Sequence, residues 1–387
     1  MGYIPAEEAI DASPVQPLYQ SYREEFPVTN SLIYLNHAAV APLCRRSADA
    51  MKRLADDALN FGSLHYESWM EAYSGLRSAT ARLINASPAE IAIVKNTSEG
   101  VATVALGLHW KRGDRIVAFR EEFPANYFPW MRVAEKGVEI TWLSIYDPID
   151  KIAKAAAGAK LLAVSFVNYL SGYRVDLDAI GEVCHRNACF FFVDAIQGMG
   201  AFPIDVEQFH IDALAADGHK WMLGPEGNGI LYIRKERLDE IDPVEFGWTN
   251  VANYADYASR DMTLRADAGR YECGTLNTIG CFGQRAALEL LLEVGVSNIS
   301  AAVTSLADRI YRGVRAKGYE VLAERKPATG SGIVSFRNPS VDARMIVSKL
   351  REAGITAAPR QGWVRTSPHF YISPAEIDRV LGLLPPV

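Results

Sequence analysis

The chain reads as an α/β protein built on a mainly parallel sheet, followed by a smaller α+β domain. Three observations predict this. Seven short runs are apolar at successive positions, as strands covered by helices on both faces must be. Segments with helical spacing separate many of these runs, the alternation that builds parallel sheets. Beyond about residue 280 the pattern changes to a long amphipathic stretch and then to shorter strand-like and helical runs.

The strand-like runs are "IAIVKN" (91–96), "RIVAFRE" (115–121), "EITWLSI" (139–145), "LLAVSFV" (161–167), "CFFFVDA" (189–195), "IDALAAD" (211–217) and "GILYIRK" (229–235). Helical spacing appears in "EGVATVALGLHW", "NYFPWMRVAEKG" and "LDAIGEVCHRN". In "SPAE" (87–90), Ser87 at the N-cap, Pro88 at N1 and Glu90 at N3 predict a helix start. Residues 236–272 are polar, dotted with aromatics and aperiodic. A long helix is expected from "GCFGQRAALELLLEVG", continued by "VSNISAAVTSLADRIYRGVRAKG". The C-terminal part alternates "SGIVSF" and "WVRTSP" with the helical "DARMIVSKLREAG" and "PAEIDRVLGLL". The expected organisation is an N-terminal segment (1–30) packing with the small domain, a large domain (31–285) and a small domain (286–387).

Composition narrows the function. A chain of 387 residues, 49% hydrophobic and 22% charged, can bury a large core. A net charge of −6 argues against nucleic-acid or anionic-membrane partners, which need basic surface. No apolar run approaches the ~20 residues of a membrane span. The opening "MGYIPAEEAIDASPVQPLYQ" lacks a basic segment followed by a continuous apolar one, so no secretory signal is expected. The five cysteines (Cys44, Cys184, Cys189, Cys273, Cys281) are odd in number and form no CxxC. A reduced, cytoplasmic protein is expected. The histidines do not cluster at ligand spacings, so no metal is expected.

Asp194 ends a strongly apolar run, and Lys220 follows the next one. In α/β sheets the strand C-terminal ends hold ligand-binding groups. A partly desolvated lysine there has a lowered pKa and is nucleophilic, able to form a Schiff base with an aldehyde cofactor. A nearby acid meets the second need of pyridoxal phosphate (PLP) chemistry, a protonated pyridine nitrogen. The third need, a phosphate site, is met by "NTSEG" (96–100), hydroxyls at a helix N-terminus. The glycines of "GPEGNG" (224–229) are expected to let the backbone pass close to the ligand.

With these residues in place, the chain resembles the class V aminotransferase group of fold-type I PLP-dependent enzymes, which includes cysteine desulfurases, isopenicillin N epimerase-like proteins and kynureninase. The resemblance rests on "LIYLNHAAVAPL" (32–43), "NTSEG", "EEFPANYFPW" (121–130), "SFVNYLSGYRVDL" (165–177), "VDAIQ…DGHKW…GPEGNGILY", "YECGTLNTIG" (271–280) and "WVRTSPHFYIS" (363–373). It implies a Schiff base on Lys220, which also shuttles protons, and an Asp194 partner for the pyridinium nitrogen. It implies Gln197 at the cofactor O3′, Phe123 stacked on the ring, and Asn126 and Asn168 bordering it. Thr97, Ser98 and His219 are implied at the phosphate, with Thr278 reaching it from a second subunit. Arg365 is implied at the substrate α-carboxylate, with His37 and Trp248 in the substrate pocket. A homodimer with shared sites follows, "GTLNT" and "FGWTNVANYADY" crossing its interface.

Two departures from the family pattern stand out. Desulfurases carry a nucleophilic cysteine shortly before the C-terminal arginine, whereas "AGITAAPRQGWVRTSPHFY" has none. Asp217 stands where desulfurases have a phosphate-binding serine. A carboxylate there repels a phosphate, so Asp217 is expected to turn away or to contact His219. The leading expectation is an aminotransferase acting on an amino acid. A Cβ-lyase, an epimerase, a kynureninase-like hydrolase or a non-catalytic PLP-binding protein are the alternatives, and a persulfide-forming desulfurase is disfavoured.

Overall fold

The computed structural model describes residues 16–387. The first half of the N-terminal segment, 1–15, lies outside the described residues. A one-turn helix α1 (Leu18–Ser21) precedes strand β1 (Ile33–Tyr34) and two long helices, α2 (Arg45–Phe61) and α3 (Tyr66–Ile84). α2 does not stand out in the sequence, carrying only three buried side chains, Ser47, Ala50 and Leu54, too few for an apolar stripe, whereas α3 buries Ala72, Tyr73, Leu76, Ala79, Leu83 and Ile84 at helical spacing.

The seven apolar runs all form strands. They are β2 (Ile91–Val94), β3 (Arg115–Phe119), β4 (Glu139–Leu143), β5 (Leu161–Ser165), β6 (Phe190–Asp194), β7 (Ala213–Asp217) and β8 (Gly229–Ile233). They form one sheet in the order β2-β8-β7-β6-β5-β3-β4. Helices α4 (Thr97–Gly107), α5 (Phe128–Ala134), α6 (Ile149–Ala156) and α7 (Leu177–Arg186) lie between them in sequence. The strands are apolar throughout because both faces are covered. Alternate residues Val94, Ala118, Ala163, Phe192 and Ala215 pack with Val101 and Val104 of α4 and Trp130 of α5. Their neighbours Ile93, Val117, Leu162, Val193 and Leu214 pack on the other face with α3, α7 and α8 (Thr278–Val294). Phe192 is fully buried with its ring edge-on to Trp130 at 5.7 Å. Phe192→Ala should cost about 3–5 kcal/mol of stability. Urea unfolding should show this as a lower midpoint at unchanged slope.

Only β8 opposes the other strands: it is antiparallel to both β7 and β2. The C-terminal ends of β2, β3, β5, β6 and β7 therefore share one edge, where the β7–β8 connection also lies, with Asp217 paired to Gly229. A Cβ on Gly100 would come within 2.8 Å of Ala215 Cβ, so α4 lies directly on β7 with its N-terminus at the same edge.

Helix α8 and helix α9 (Val296–Ala316) form a pair bent by 83° at Gly295, which takes φ +83°. A four-stranded sheet follows: β9 (Glu320–Val321), β10 (Val334–Arg337), β12 (Ala358–Arg360) and β13 (Trp363–Thr366), in the order β12-β13-β10-β9. Helices α10 (Ala343–Glu352) and α11 (Pro374–Leu383) complete this part. β1 pairs in parallel with β11 (Ile355–Thr356), and Arg23 meets Glu376 at 2.9 Å. Phe26 stacks on Tyr371 at 3.7 Å.

Two local expectations need correction. The capping box at Ser87 and Glu90 is present, but it caps a single turn, Pro88–Glu90, because β2 begins at Ile91. Of the glycines of "GPEGNG", Gly229 lets the chain pass against the backbone of Asn96 at the cleft's edge, 3.0 Å from an added Cβ, but Gly224 and Gly227 do not face the site. A Cβ on Gly224 would strike the buried Gln284 at 1.8 Å, and Gly227 faces Asn277. These glycines make room for α8.

Candidate active site

Lys220 is held by what lies beneath it. Trp221, its neighbour, is buried and donates Nε1–H to Gln197 Oε1 at 2.9 Å. The Trp221 carbonyl accepts from His369 Nε2 at 3.1 Å. His369 Nδ1 accepts from the Phe370 N–H, which fixes the neutral tautomer, and burial lowers its pKa to about 4. Gly200 passes under the Trp221 carbonyl with φ +92°, and a Cβ there would sit 2.5 Å from that oxygen. Two residues on, Leu223 takes φ +59°, a strained value for a branched side chain, with its N–H on the Lys220 carbonyl. Backbone and side-chain contacts thus fix where the Lys220 ammonium emerges.

It emerges into a cleft of about 600 Å³ between the main sheet and β12–β13. Thr97, Ser98, Phe123, Asp194, Gln197, His219, Lys220 and Arg365 all line it, so eight of the thirteen residues given a role by the resemblance converge there. Lys220 Nζ lies 5.7 Å from the Phe123 ring, and that ring is 44% exposed, open to a second flat group. Burial lowers the Lys220 pKa to about 8; Asp194 opposes the shift and Arg365 adds to it. Burial raises Asp194 to about 6, against the Ile196 N–H, which donates to Oδ1 at 3.0 Å, and against Lys220. The amine is therefore a nucleophile near neutrality. With cofactor removed, competitive amine labelling of Lys220 should follow a titration with its midpoint near pH 8. A midpoint near that of an ordinary lysine would mean the ammonium is solvated.

The two ends of the cleft suit anions. At one end the α4 N-terminus is capped by Asn96, whose side chain accepts from the Glu99 N–H. The Thr97 and Ser98 N–H groups have no carbonyl four residues earlier within the helix. Thr97 Oγ1 is buried without a hydrogen-bond partner among the described residues, as is His219 Nδ1. Asp217 Oδ2 lies 3.1 Å from that nitrogen, outside hydrogen-bond geometry, so Asp217 contacts His219 rather than turning out of the cleft. At the other end Arg365 is buried. It donates Nη1–H to the Tyr169 carbonyl at 2.7 Å, while Nε and Nη2 are unsatisfied among the described residues. Burial, with Arg360 nearby, lowers its pKa to about 10, leaving a charged fork with two free donors.

Five expected residues do not line the cleft. His37 is buried beside the cleft, not in it: Nδ1–H donates to the Ser367 carbonyl at 2.8 Å and Nε2 accepts from Tyr371 Oη at 2.6 Å. Both ring nitrogens are spent on structure, so the substrate role is withdrawn. Asn168 is also a structural residue. Its amide donates to the Glu121 carbonyl at 2.7 Å and its oxygen accepts from the Leu170 and Ser171 N–H groups, holding the 168–173 turn. Asn126 is buried and accepts from Trp130 Nε1 at 2.9 Å. Trp248 is 48% exposed in a cluster with Tyr254 and Tyr257, outside the cleft of its own chain. Thr278 opens α8 and bonds the Tyr73 hydroxyl at 2.6 Å. Gln197 lines the cleft, but its oxygen is taken by Trp221 and one amide hydrogen by the Ala38 carbonyl. One N–H remains for a ligand.

Sequence reasoning missed Tyr169, Arg360 and Gln361, which also line the cleft. The "QG" dipeptide between two strand-like runs was the available signal, a tight hairpin beside Arg365. It also missed Glu122, buried below the cleft, which accepts from the Ser165 N–H at 2.6 Å. Burial and then the Asp194 charge raise its pKa to about 8, so it is a neutral acid.

The donor set fits pyridoxal phosphate. Orphaned donors at Thr97 and His219 beside a helix N-terminus suit a phosphate, Lys220 suits an aldehyde, and buried Asp194 suits a cationic ring nitrogen.

Comparison with known proteins bears on the fold and the family. The chain is 31% identical to a probable cysteine desulfurase of Pyrococcus abyssi, over 94% of this chain and 96% of that one. It is 29% identical to YcbU of Bacillus subtilis, named an uncharacterized aminotransferase, over 95% and 97%. The apo structure of a cysteine desulfurase from Thermococcus onnurineus matches with a TM-score of 0.86 at 28% identity, covering 94% of this chain and 96% of that one. The cystine C–S lyase C-DES, solved with its product cysteine persulfide, matches at 0.85 and 25% identity, over 92% and 98%. A mutant of C-DES holds glycine linked to its PLP cofactor. The architecture is therefore the fold-type I arrangement expected from the sequence. The Aminotransferase class-V family matches residues 33–372, strands and cleft alike, and the chain belongs to that family.

Proposed function

We propose that the protein is a PLP-dependent aminotransferase acting on an α-amino acid. One observation carries this reading: Lys220 emerges into the cleft as an amine whose pKa burial lowers to about 8, beside an arginine with two unsatisfied donors. Asp194 is committed at the base of the cleft, and Asp217 and His219 face each other beside α4. No cysteine lines the cleft among the described residues, and Cys44, Cys184, Cys189 and Cys281 are buried. Transamination needs one base that removes a proton and returns it nearby; persulfide transfer needs a thiol.

Thr97, Ser98 and His219 would hold the cofactor phosphate, Phe123 would lie against its ring, and Asp194 would keep a proton on the ring nitrogen. When bound, pyridoxal phosphate supplies the sink for the electron pair left on the substrate Cα. Arg365 takes the α-carboxylate with its two free donors and so points Cα–H at Lys220. Lys220 Nζ accepts that proton and gives it back from the same side of the cleft. Two chains are inferred to pair, each bringing Thr278 to the other's phosphate site; light scattering reads the assembly.

The test is incubation with amino acids and keto-acid acceptors. Amino transfer without sulfide or net pyruvate supports the reading. The names of the relatives favour a second one, C–S bond cleavage with release of the sulfur product to solvent, which needs no loop thiol. Sulfide or persulfide with pyruvate from cysteine or cystine, without amino transfer, would establish that instead.

A further inference from the structure

A second cleft, of about 770 Å³, adjoins the first. The two share Tyr169 and Gln361 in their walls. Gln361 Nε2–H donates to the Tyr169 hydroxyl at 2.8 Å, so this pair is the partition between them. Gln361 occupies an unusual position. Arg360 pairs with Trp363, which makes Gln361–Gly362 a two-residue hairpin turn with φ +47° and +83°. Asn or Gly is the ordinary choice where φ is positive, and a glutamine there is strained. The strain places an amide side chain at the mouth of the second cleft.

The charges along this cleft are unevenly matched. Its carboxyl groups have partners. Glu121 accepts from Ser144 Oγ at 2.8 Å and the Ile145 N–H at 3.1 Å; Glu324 meets Arg315 at 3.3 Å; Glu122 accepts from Ser165. Its two cations do not. Arg120, just past β3, and Lys326, from the small-domain loop after β9, line the cleft from opposite sides. Both are exposed, and neither comes within 4.0 Å of a carboxylate among the described residues. The Asp147 pKa is lowered by the Ser144 N–H, by Lys151, which already pairs with it at 2.9 Å, and to a smaller extent by Arg120. Tyr146 and Tyr173, edge-to-face at 4.9 Å, give the cleft an aromatic wall between them.

We propose that this second cleft is a distal subsite, and that the substrate is an α-amino acid whose long side chain ends in an anionic group. The side chain passes the Tyr169–Gln361 pair from the Arg365 end of the first cleft, and its terminal anion lies between Arg120 and Lys326. This rests on the PLP reading of the first cleft and names the substrate class for it. The charge must sit several bonds beyond Cα, which 2-aminoadipate and 2-aminopimelate supply and alanine and norleucine do not.

The experiment uses the cofactor-loaded enzyme. The change in cofactor absorbance on adding 2-aminoadipate, 2-aminopimelate, norleucine or alanine gives a dissociation constant, whichever reaction follows. The two ω-carboxylates should bind at least about tenfold more tightly than norleucine, the return from one charge-assisted contact. In Lys326→Ala, and in Arg120→Ala, the ratio of the norleucine to the aminoadipate dissociation constant should fall about tenfold. A folding defect would weaken both amino acids together and leave the ratio standing. Equal binding of norleucine and aminoadipate in the wild type, or an unchanged ratio in the Arg120→Ala/Lys326→Ala double variant, overturns the subsite while leaving the PLP reading intact. Failure of the wild type to take up the cofactor overturns both.

Discussion

Lys220→Ala should lower kcat by at least about 10⁴-fold, the upper range for one acid–base group. It should also abolish the borohydride-reducible adduct with pyridoxal phosphate, which peptide mass mapping will otherwise find on Lys220. Lys220→Arg should be no better, because a guanidinium in a protein keeps its proton and cannot act as nucleophile or base. The same position should show the opposite effect on stability. Burial lowers the Lys220 pKa in the folded chain to about 8, from 10.5. At pH 7 the ammonium is therefore held in the native state against its solvation preference. Between about 8 and 10.5 the unfolded chain binds the proton that the native chain has lost, so stability rises with pH across that window. Lys220→Met should raise the Tm of the cofactor-free protein at pH 7, and the gain should shrink as the pH is brought up through the window. An inactive variant with unchanged or lowered Tm at pH 7 would mean the lysine is not desolvated. Loss of activity with gain of stability is the mark of a group placed for chemistry.

What the sequence made legible follows from the range of the interactions concerned. The seven strands were readable because a two-sided buried strand is apolar at every position, and "FFFV" before Asp194 can be little else. Lys220 and Asp194 were readable because strand order puts the end of each parallel strand on one edge, and both residues end or follow strands. The turn into α4 that brings Thr97 and Ser98 to the cleft was readable for the same reason. His37 was not. Its two partners, Ser367 and Tyr371, lie 330 and 334 residues away, and no local pattern shows that both ring nitrogens are already used. Asn168 looked like a site residue because it stands between a strand and a loop, where its own turn needs it. Helix α2 was not legible because most of its surface is exposed and its buried face is short. Asp217 was legible as an anomaly, and the structure resolves it as a contact to His219. Tyr169 and Gln361 come together only when β12–β13 folds back over the main sheet, a contact 192 residues long in sequence.

Asp194 at the base of the cleft has a second buried carboxyl group near it, Glu122 below the cleft, and of these two only Asp194 should matter to turnover. Asp194→Asn should lower kcat by about 10²–10³-fold, the scale seen when one electrostatic stabiliser of a developing charge is removed. The amide oxygen of the variant can still accept the Ile196 N–H that Asp194 Oδ1 accepts at 3.0 Å, so the backbone at the end of β6 should be undisturbed. Lys220 should still capture the cofactor. What is lost is the negative charge that keeps a proton on the ring nitrogen. Glu122→Gln is the matched control. With its pKa raised to about 8, Glu122 is already neutral at pH 7, and a glutamine oxygen can accept from the Ser165 N–H as the acid does. That variant should stay within a few-fold of wild type. The pH profiles separate the two further. Burial sets Asp194 near 6 in the cofactor-free protein, and a cationic ring nitrogen beside it moves the value down. Wild-type kcat should therefore fall on the acid side at or below pH 6 as Asp194 takes up its proton, and Asp194→Asn should lack that limb. If Glu122→Gln proves as damaging as Asp194→Asn, or if Asp194→Asn keeps near-wild-type turnover, the charge is not where the cleft's geometry puts it.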